Sequence, residues 1–113
     1  MKVNKFVKQA LAGIGVPVSV STYKGNAETY VTFFEMLEQG ENFADDREIA
    51  TGHYVQVDVW RKGESPTETT EAVKAAMGKA GFVRRESREL YESEANIYHR
   101  ALRFYIKEET GNA

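Results

Sequence analysis

The chain of 113 residues has no cysteine, only two prolines and only two histidines. Without a thiol, disulfides, thiolate zinc sites and cysteine nucleophiles are all excluded. Zinc held through imidazole needs further ligands, and neither His53 nor His99 has a His or Cys at short spacing. Both histidines are therefore expected at the surface or at strand ends, although on different strands they could approach each other across a sheet. No apolar run approaches the ~20 residues of a membrane-crossing helix. The opening MKVNKFVKQALAGIG lacks the continuous apolar centre and the cleavage pattern of a secretory signal. No Walker, dinucleotide-binding or hydrolase motif occurs, so catalysis has no candidate constellation, and neither a cofactor nor a metal is expected. Charge of one sign is also lacking: 15 basic residues against 17 acidic ones give a formal net charge of -2. Such a balance provides no general attraction to nucleic acid or anionic membrane.

What is present is the composition of an ordinary folded domain, 42% hydrophobic and 28% charged. The length suits one domain that buries roughly two thirds of its unfolded surface. Residues 1–107 read as that domain, and 108–113 as a flexible tail. In the opening segment Val3, Phe6, Val7, Ala10, Leu11 and Ile14 recur at helical spacing, and Gly13, Gly15 and Pro17 stop the helix. VPVSVSTY alternates as a half-buried strand, KGNAET supplies a turn, and YVTFFEML is a second strand rich in aromatic and β-branched side chains. A second helix follows RKGESP, with Ser65 as a cap and Pro66 at the first helical position. Ala72, Val73, Ala76, Met77 and Ala80 line one side of it, and Gly81 ends it. Two more strands, about 82–91 and 97–106, flank the polar turn ESEAN. The order α-β-β-β-α-β-β predicts an α+β fold, a mostly antiparallel sheet of about five strands with two helices on one face.

The stretch GHYVQVDVW, residues 52–60, carries the functional question. As a strand it sets His53, Val55, Val57 and Val59 on a core face, and Tyr54, Gln56, Asp58 and Trp60 on the other. In the last strand His99, Ala101, Arg103 and Tyr105 share the face opposite Tyr98, Leu102, Phe104 and Ile106. Aromatics mixed with polar groups on a non-core face are the composition of protein interfaces, which points to self-association or a partner. Between the strands EQGENFADDREIAT, residues 38–51, shows neither helical nor strand period. It reads as a long acidic loop that orders on assembly, with Phe43 and Ile49 as its apolar contacts and Asp45 and Asp46 among its acidic residues. The run DDRE lacks the ligand spacing and central glycine of a calcium loop. The basic run RRESR, with Arg100 and Arg103, is interleaved with Glu86, Glu89, Glu92 and Glu94, which pair the arginines or repel phosphate.

The opening helix leading through LAGIGVPVSVSTYKGNAETYVTFFEMLEQGENFADDREIATGHYVQVDVWRKG, with AGF and the closing IYHRALRFYI, resembles the tail completion proteins of long-tailed bacteriophages and prophages. These are also called tail terminator or tail-to-head joining proteins. The most specific parts are TYVTFFE, FADDREIATGHYVQVDVW and YHRALRF. The resemblance implies a non-enzymatic protein of the virion, assembled in the bacterial cytoplasm as a ring, six-fold in relatives, that caps the tail tube and joins it to the head connector. Its partners would be further copies of itself, the tube protein and the connector protein. The interface residues expected, from the non-core sheet face and the long loop, are Phe43, Asp45, Asp46, Ile49, Tyr54, Asp58, Trp60, His99, Arg103 and Tyr105. Other readings of the same element order are a neck or connector component, or a domain binding a small ligand or nucleic acid through the basic and aromatic face.

Overall fold

The apolar stripe of the first helix and the odd positions of the central strand meet in one layer of side chains. The computed structural model describes residues 1–44 and 47–109. Its elements are α1 (Val3–Ala10), β1 (Val18–Val20), β2 (Thr29–Ala44), β3 (Arg47–Lys62), α2 (Thr67–Lys79), β4 (Val83–Glu92) and β5 (Ile97–Glu109). The five strands form one sheet in the order β1-β2-β3-β5-β4. Only β1 is parallel to its neighbour; the other three pairings are antiparallel. The expected α+β class and element order are therefore those of the protein.

Both helices pack on the same face of the sheet. Val3, Val7 and Leu11 of the first helical segment and Val73 and Met77 of α2 close over Val31, Phe33, Val55, Val57, Val59, Leu102 and Phe104. Gly81, at φ +104, ends α2. Its amide bonds to the Gly78 carbonyl while the Phe82 amide bonds to that of Met77, and Phe82 turns into the core. That paired bonding with a glycine in the left-handed region is a Schellman close. At the other end α2 starts one residue later than expected, with Pro66 in the cap position; the Ser65 hydroxyl donates to the Glu89 carboxylate and makes no cap bond.

The expected loop over 38–51 is instead the outer part of a β-hairpin. β2 and β3 have sixteen residues each and pair from Thr29↔Arg61 out to Ala44↔Arg47, Phe43 lying opposite Glu48. Sixteen residues at about 3.3 Å each reach roughly 53 Å, and the long axis of the molecule is 53 Å. Two features hide these strands from a periodicity argument. A bulge between Glu35 and Leu37 shifts the alternation by one residue. Beyond it Met36, Leu37, Glu38 and Gln39 are all exposed, so neither face carries a core pattern. Asp45 and Asp46, expected in that loop, lie outside the described residues. β5 also runs further than expected: residues 108 and 109 pair with Thr51 and Ala50, so of the anticipated tail only 110–113 remains, and it too lies outside the described residues.

Backbone bonding alternates along the sheet. The Val31 amide bonds to Pro17, the Phe33 carbonyl accepts from Ser21, and the Lys62 amide bonds to Glu28, so even positions of β2 face β3 until the bulge exchanges the parity. In amide exchange the amides of Leu37, Gln39 and Glu41 should be protected in the isolated subunit, whereas those of Glu38 and Gly40 should exchange freely. Uniformly fast exchange over 37–41 would show a loop instead. Val57→Ala, at a fully buried position, should lower unfolding free energy by about 1 to 3 kcal/mol in urea titration.

Candidate interaction surface

The face of the sheet that the helices leave uncovered is organised by side chains alone. Strand alternation places Tyr30, Thr32 and Phe34 of β2 there, beside Tyr54, Gln56, Asp58 and Trp60 of β3 and His99, Ala101, Arg103 and Tyr105 of β5. Four rings stack in sequence across the strands. Tyr23 lies on Tyr30 at 4.3 Å between centroids, Tyr30 on Trp60 at 6.0 Å, and Trp60 on His99 at 3.8 Å and 9°. The Trp60 indole N–H donates to the Thr32 hydroxyl at 3.0 Å, which fixes the ring against β2. Trp60 is thus half-buried under its own face's neighbours and does not enter the core.

From the end of the stack a polar chain continues. His99 Nε2 lies 2.6 Å from Asp58 Oδ1, the Gln56 amide donates to the same carboxylate at 2.9 Å, and Arg103 Nε donates to Gln56 at 3.3 Å. Arg103 also pairs with Glu86 at 3.4 Å, Arg88 pairs with Glu86 at 3.2 Å, and Arg100 with Glu89 at 3.3 Å. The interleaved acids thus engage the arginines, as the sequence implied. Between these groups Gln56, Glu86, Arg88, Leu90, His99, Ala101 and Arg103 line a shallow depression of about 120 Å³. Toward the hairpin Tyr105 leans on Tyr54 at 5.0 Å, carries the Arg85 guanidinium over its ring, and donates to Glu41. That bond to the carboxylate, together with burial, pushes the Tyr105 phenol up to about 12. A side chain at position 52 would collide with both Tyr105 and Glu41, which accounts for Gly52.

Of the expected interface residues the structure brings Tyr54, Asp58, Trp60, His99, Arg103 and Tyr105 together on this face. Asp58 differs from the rest in being buried, as the partner of His99. Ile49 is half-buried on the distal hairpin, away from the ring stack. Tyr23 and Tyr30 were not anticipated, although the position of Tyr30 in a strand beginning YVTF was a signal for it.

The two histidines do not meet: they lie on opposite faces. His53 is not at the surface but on the core face, 2% exposed, where its Nδ1 is 2.6 Å from Glu35 and its Nε2 2.8 Å from Glu108. The other oxygen of Glu108 is 2.7 Å from the Met1 amine. Burial by itself lowers the pKa of His53, but the hydrogen bonds and charges of Glu35 and Glu108 outweigh it and leave the imidazole raised above 6.5. Bonding to the Met1 amine and to His53 lowers Glu108 below 4.5. A histidine in register with three core valines was the sequence signal for such a cluster, because a buried imidazole needs partners for both nitrogens. Among the described residues no group of three or more His, Cys, Asp or Glu side chains is placed to hold a metal ion.

These features define a small α+β domain with a one-sided core, whose other sheet face is a rigid aromatic and charged surface. No family model matches the chain, and no curated protein matches it. Among solved structures, a chain in the virion of a native gene transfer agent (GTA) particle is similar at a TM-score of 0.63, with 19% identity over 92% of this chain and 92% of that one. The chain therefore shares its fold, end to end, with a component of a virion particle.

The charged His53 cluster makes stability depend on pH. A raised histidine contributes fully below its unfolded pKa near 6.5 and loses that contribution as pH rises through the folded value. The lowered Glu108 contributes above 4.5 and loses its share as pH falls through its folded value. Unfolding free energy should therefore be greatest between about pH 4.5 and 6.5 and decline on the alkaline side. His53→Gln should flatten that alkaline decline in urea titrations across pH. An unchanged decline in the variant would assign it to other groups.

Proposed function

We propose that the chain is a non-enzymatic assembly protein of a phage-type tail, which closes into a ring, caps the tail tube and presents a surface to the head connector. The observation that carries this reading is the likeness along 92% of both chains to a chain of a virion particle. The sequence resemblance to tail completion proteins supports the same role, and a six-fold ring with it. A surface held by ring stacking and ion pairs suits binding: it is ordered before contact, so little conformational entropy is lost on docking. The partners are further copies of the chain, the tube protein and the connector protein, and the place of action is the junction of head and tail. Nucleic-acid binding through Arg88, Arg100 and Arg103 is disfavoured, because each of them already faces a glutamate.

Added to polymerising tail-tube protein from the same virion cluster, the chain should stop growth at substoichiometric amounts and remain at one end of the tubes in electron micrographs. Tubes of unaltered length, with binding confined to the head connector, would make it a neck component instead. Trp60→Ala should leave the core intact yet weaken tube capping by roughly thirtyfold, about 2 kcal/mol, if the ring stack is a contact surface. Capping at full affinity by the folded variant would remove the stack from the interface.

A further inference from the structure

Among the described residues both edges of the sheet are open. β1 covers β2 only from Val31 to Phe33, so among the described residues no strand lies on the outer side of β2 from Phe34 to Ala44. At the opposite edge β4 pairs on one side only, with β5, through every residue but Arg85 in its bulge. Folded proteins commonly blunt such edges with proline, lysine and other charges, bulges or very short strands. Neither β2 nor β4 contains a proline or a lysine. β4 has a bulge near its start and β2 one at its middle, after which β4 pairs regularly over Glu86–Glu92 and β2 over Leu37–Glu41. Six of the eight exposed large apolar side chains lie on these two strands: Phe34, Met36 and Leu37 on β2, and Val83, Leu90 and Tyr91 on β4.

We propose that neighbouring copies of this chain join by strand addition, the open edge of β4 in one subunit pairing with the distal open edge of β2 in the next. This rests on the ring reading above and specifies its interface. Direction, pleat, bonding and charge agree on how the edges fit. β4 runs antiparallel to β2 within one sheet, because three antiparallel steps separate them. A second copy placed beside the first in the same orientation therefore meets it in an antiparallel ladder, the more stable kind. The Gly63 amide bonds to Asn96, so odd positions of β3 face β5. Alternation then turns Ser87, Glu89 and Tyr91 of β4 outward, and Glu38 and Gly40 of β2 outward beyond its bulge.

A register that matches outward groups with outward groups sets Tyr91 against Glu38, Glu89 against Gly40, and Arg88 against Glu41. It also keeps like faces together, since Arg88 pairs with Ala101 and Glu41 with Ala50, both on the uncovered face. No two glutamates are opposed in it. Sliding β4 by two residues toward the start of β2 would oppose Glu86 to Glu41 and Glu89 to Glu38, which charge repulsion disfavours. The distal stretch of β2 from Glu35 to Glu41 carries three glutamates and no base, whereas β4 alternates Arg84, Arg85 and Arg88 with Glu86, Glu89 and Glu92, so the register decides which charges meet. Because the two edges differ, each addition leaves the same pair of edges free. The interface is heterologous, and it ends only by closing on itself.

The absence of native cysteine permits a direct test. In the register given, positions 88 and 41 form a non-hydrogen-bonded pair with Cα atoms roughly 4.5 Å apart, within disulfide range. The double variant Arg88→Cys with Glu41→Cys, checked for its fold by circular dichroism, should oxidise to a ladder of covalent oligomers on non-reducing gels. A mixture of the two single variants should stop at dimers, and either variant alone should remain monomeric. In exchange experiments on the wild-type chain, the amides of Glu38 and Gly40 should gain protection as concentration drives assembly. If Arg88→Cys alone gives dimers, two β4 edges meet and the proposal is overturned. If rings form on tube ends while the double variant gives no covalent product above the single variants, the interface is overturned and the ring reading survives. If neither rings nor covalent oligomers form, both fall.

Discussion

Burial on only one side of the sheet is the constraint on which the rest of this structure depends. Two short helices suffice to cover one face of five strands, and the buried valines, phenylalanines and leucine all point to that face. The other face has no layer over it. An unclad sheet face of this size would be a liability if it were simply apolar. Here it is organised by stacking Tyr23, Tyr30, Trp60 and His99 across the strands and by a chain of ion pairs and hydrogen bonds from Asp58 to Arg88. The rings shield one another, so large aromatic area stays half-buried without a further helix. The same arrangement holds the side chains in fixed positions before any partner arrives.

The second consequence concerns the long hairpin. β2 and β3 extend past the helices, where no apolar core supports them. At the point where the core ends, His53 occupies the place that a fourth valine would fill. It is fixed by Glu35 from β2 and Glu108 from β5, so three adjacent strands are joined by one imidazole. A charged group this deep is stable only because both ring nitrogens face carboxylates. Glu108 also keeps the end of β5 in the sheet. On the uncovered side Tyr105 and Glu41 close over Gly52 and brace the same region. Polar clamps on both faces thus do for the distal hairpin what apolar packing does nearer the helices.

An assembly built from such subunits needs surfaces that are rigid, distinct and available. The ring stack meets the first requirement, since its members have few rotamers left to lose. The two unlike sheet edges meet the second, since the proposed ring would need one patch to meet a different one. The projecting hairpin meets the third by carrying an open edge clear of the helices. This division of labour is consistent with a fold shared with a virion component.

The class of fold, the element order and the two faces of β3 and β5 were legible in the sequence. Each is a local matter: the helical stripe from Val3 to Leu11, the alternation of GHYVQVDVW, and the glycine stop at Gly81 leave a periodic or conformational trace in neighbouring residues. The pairing of glutamates with the arginines of β4 and β5 was legible for the same reason. The distal hairpin was not, because the bulge at Met36 breaks the period and neither of its faces is core, so the pattern that betrays a strand is absent. His53 was misplaced because its partners stand eighteen and fifty-five residues away. The alternation of β3 put it on the core face; which carboxylates would meet its two ring nitrogens is what no local pattern records. The sequence by itself determined which residues form helices and strands and which side chains share a face. Only the tertiary structure decided which strands lie at the edges, how far the hairpin projects and which buried charges meet, since those follow from strand order and long-range register.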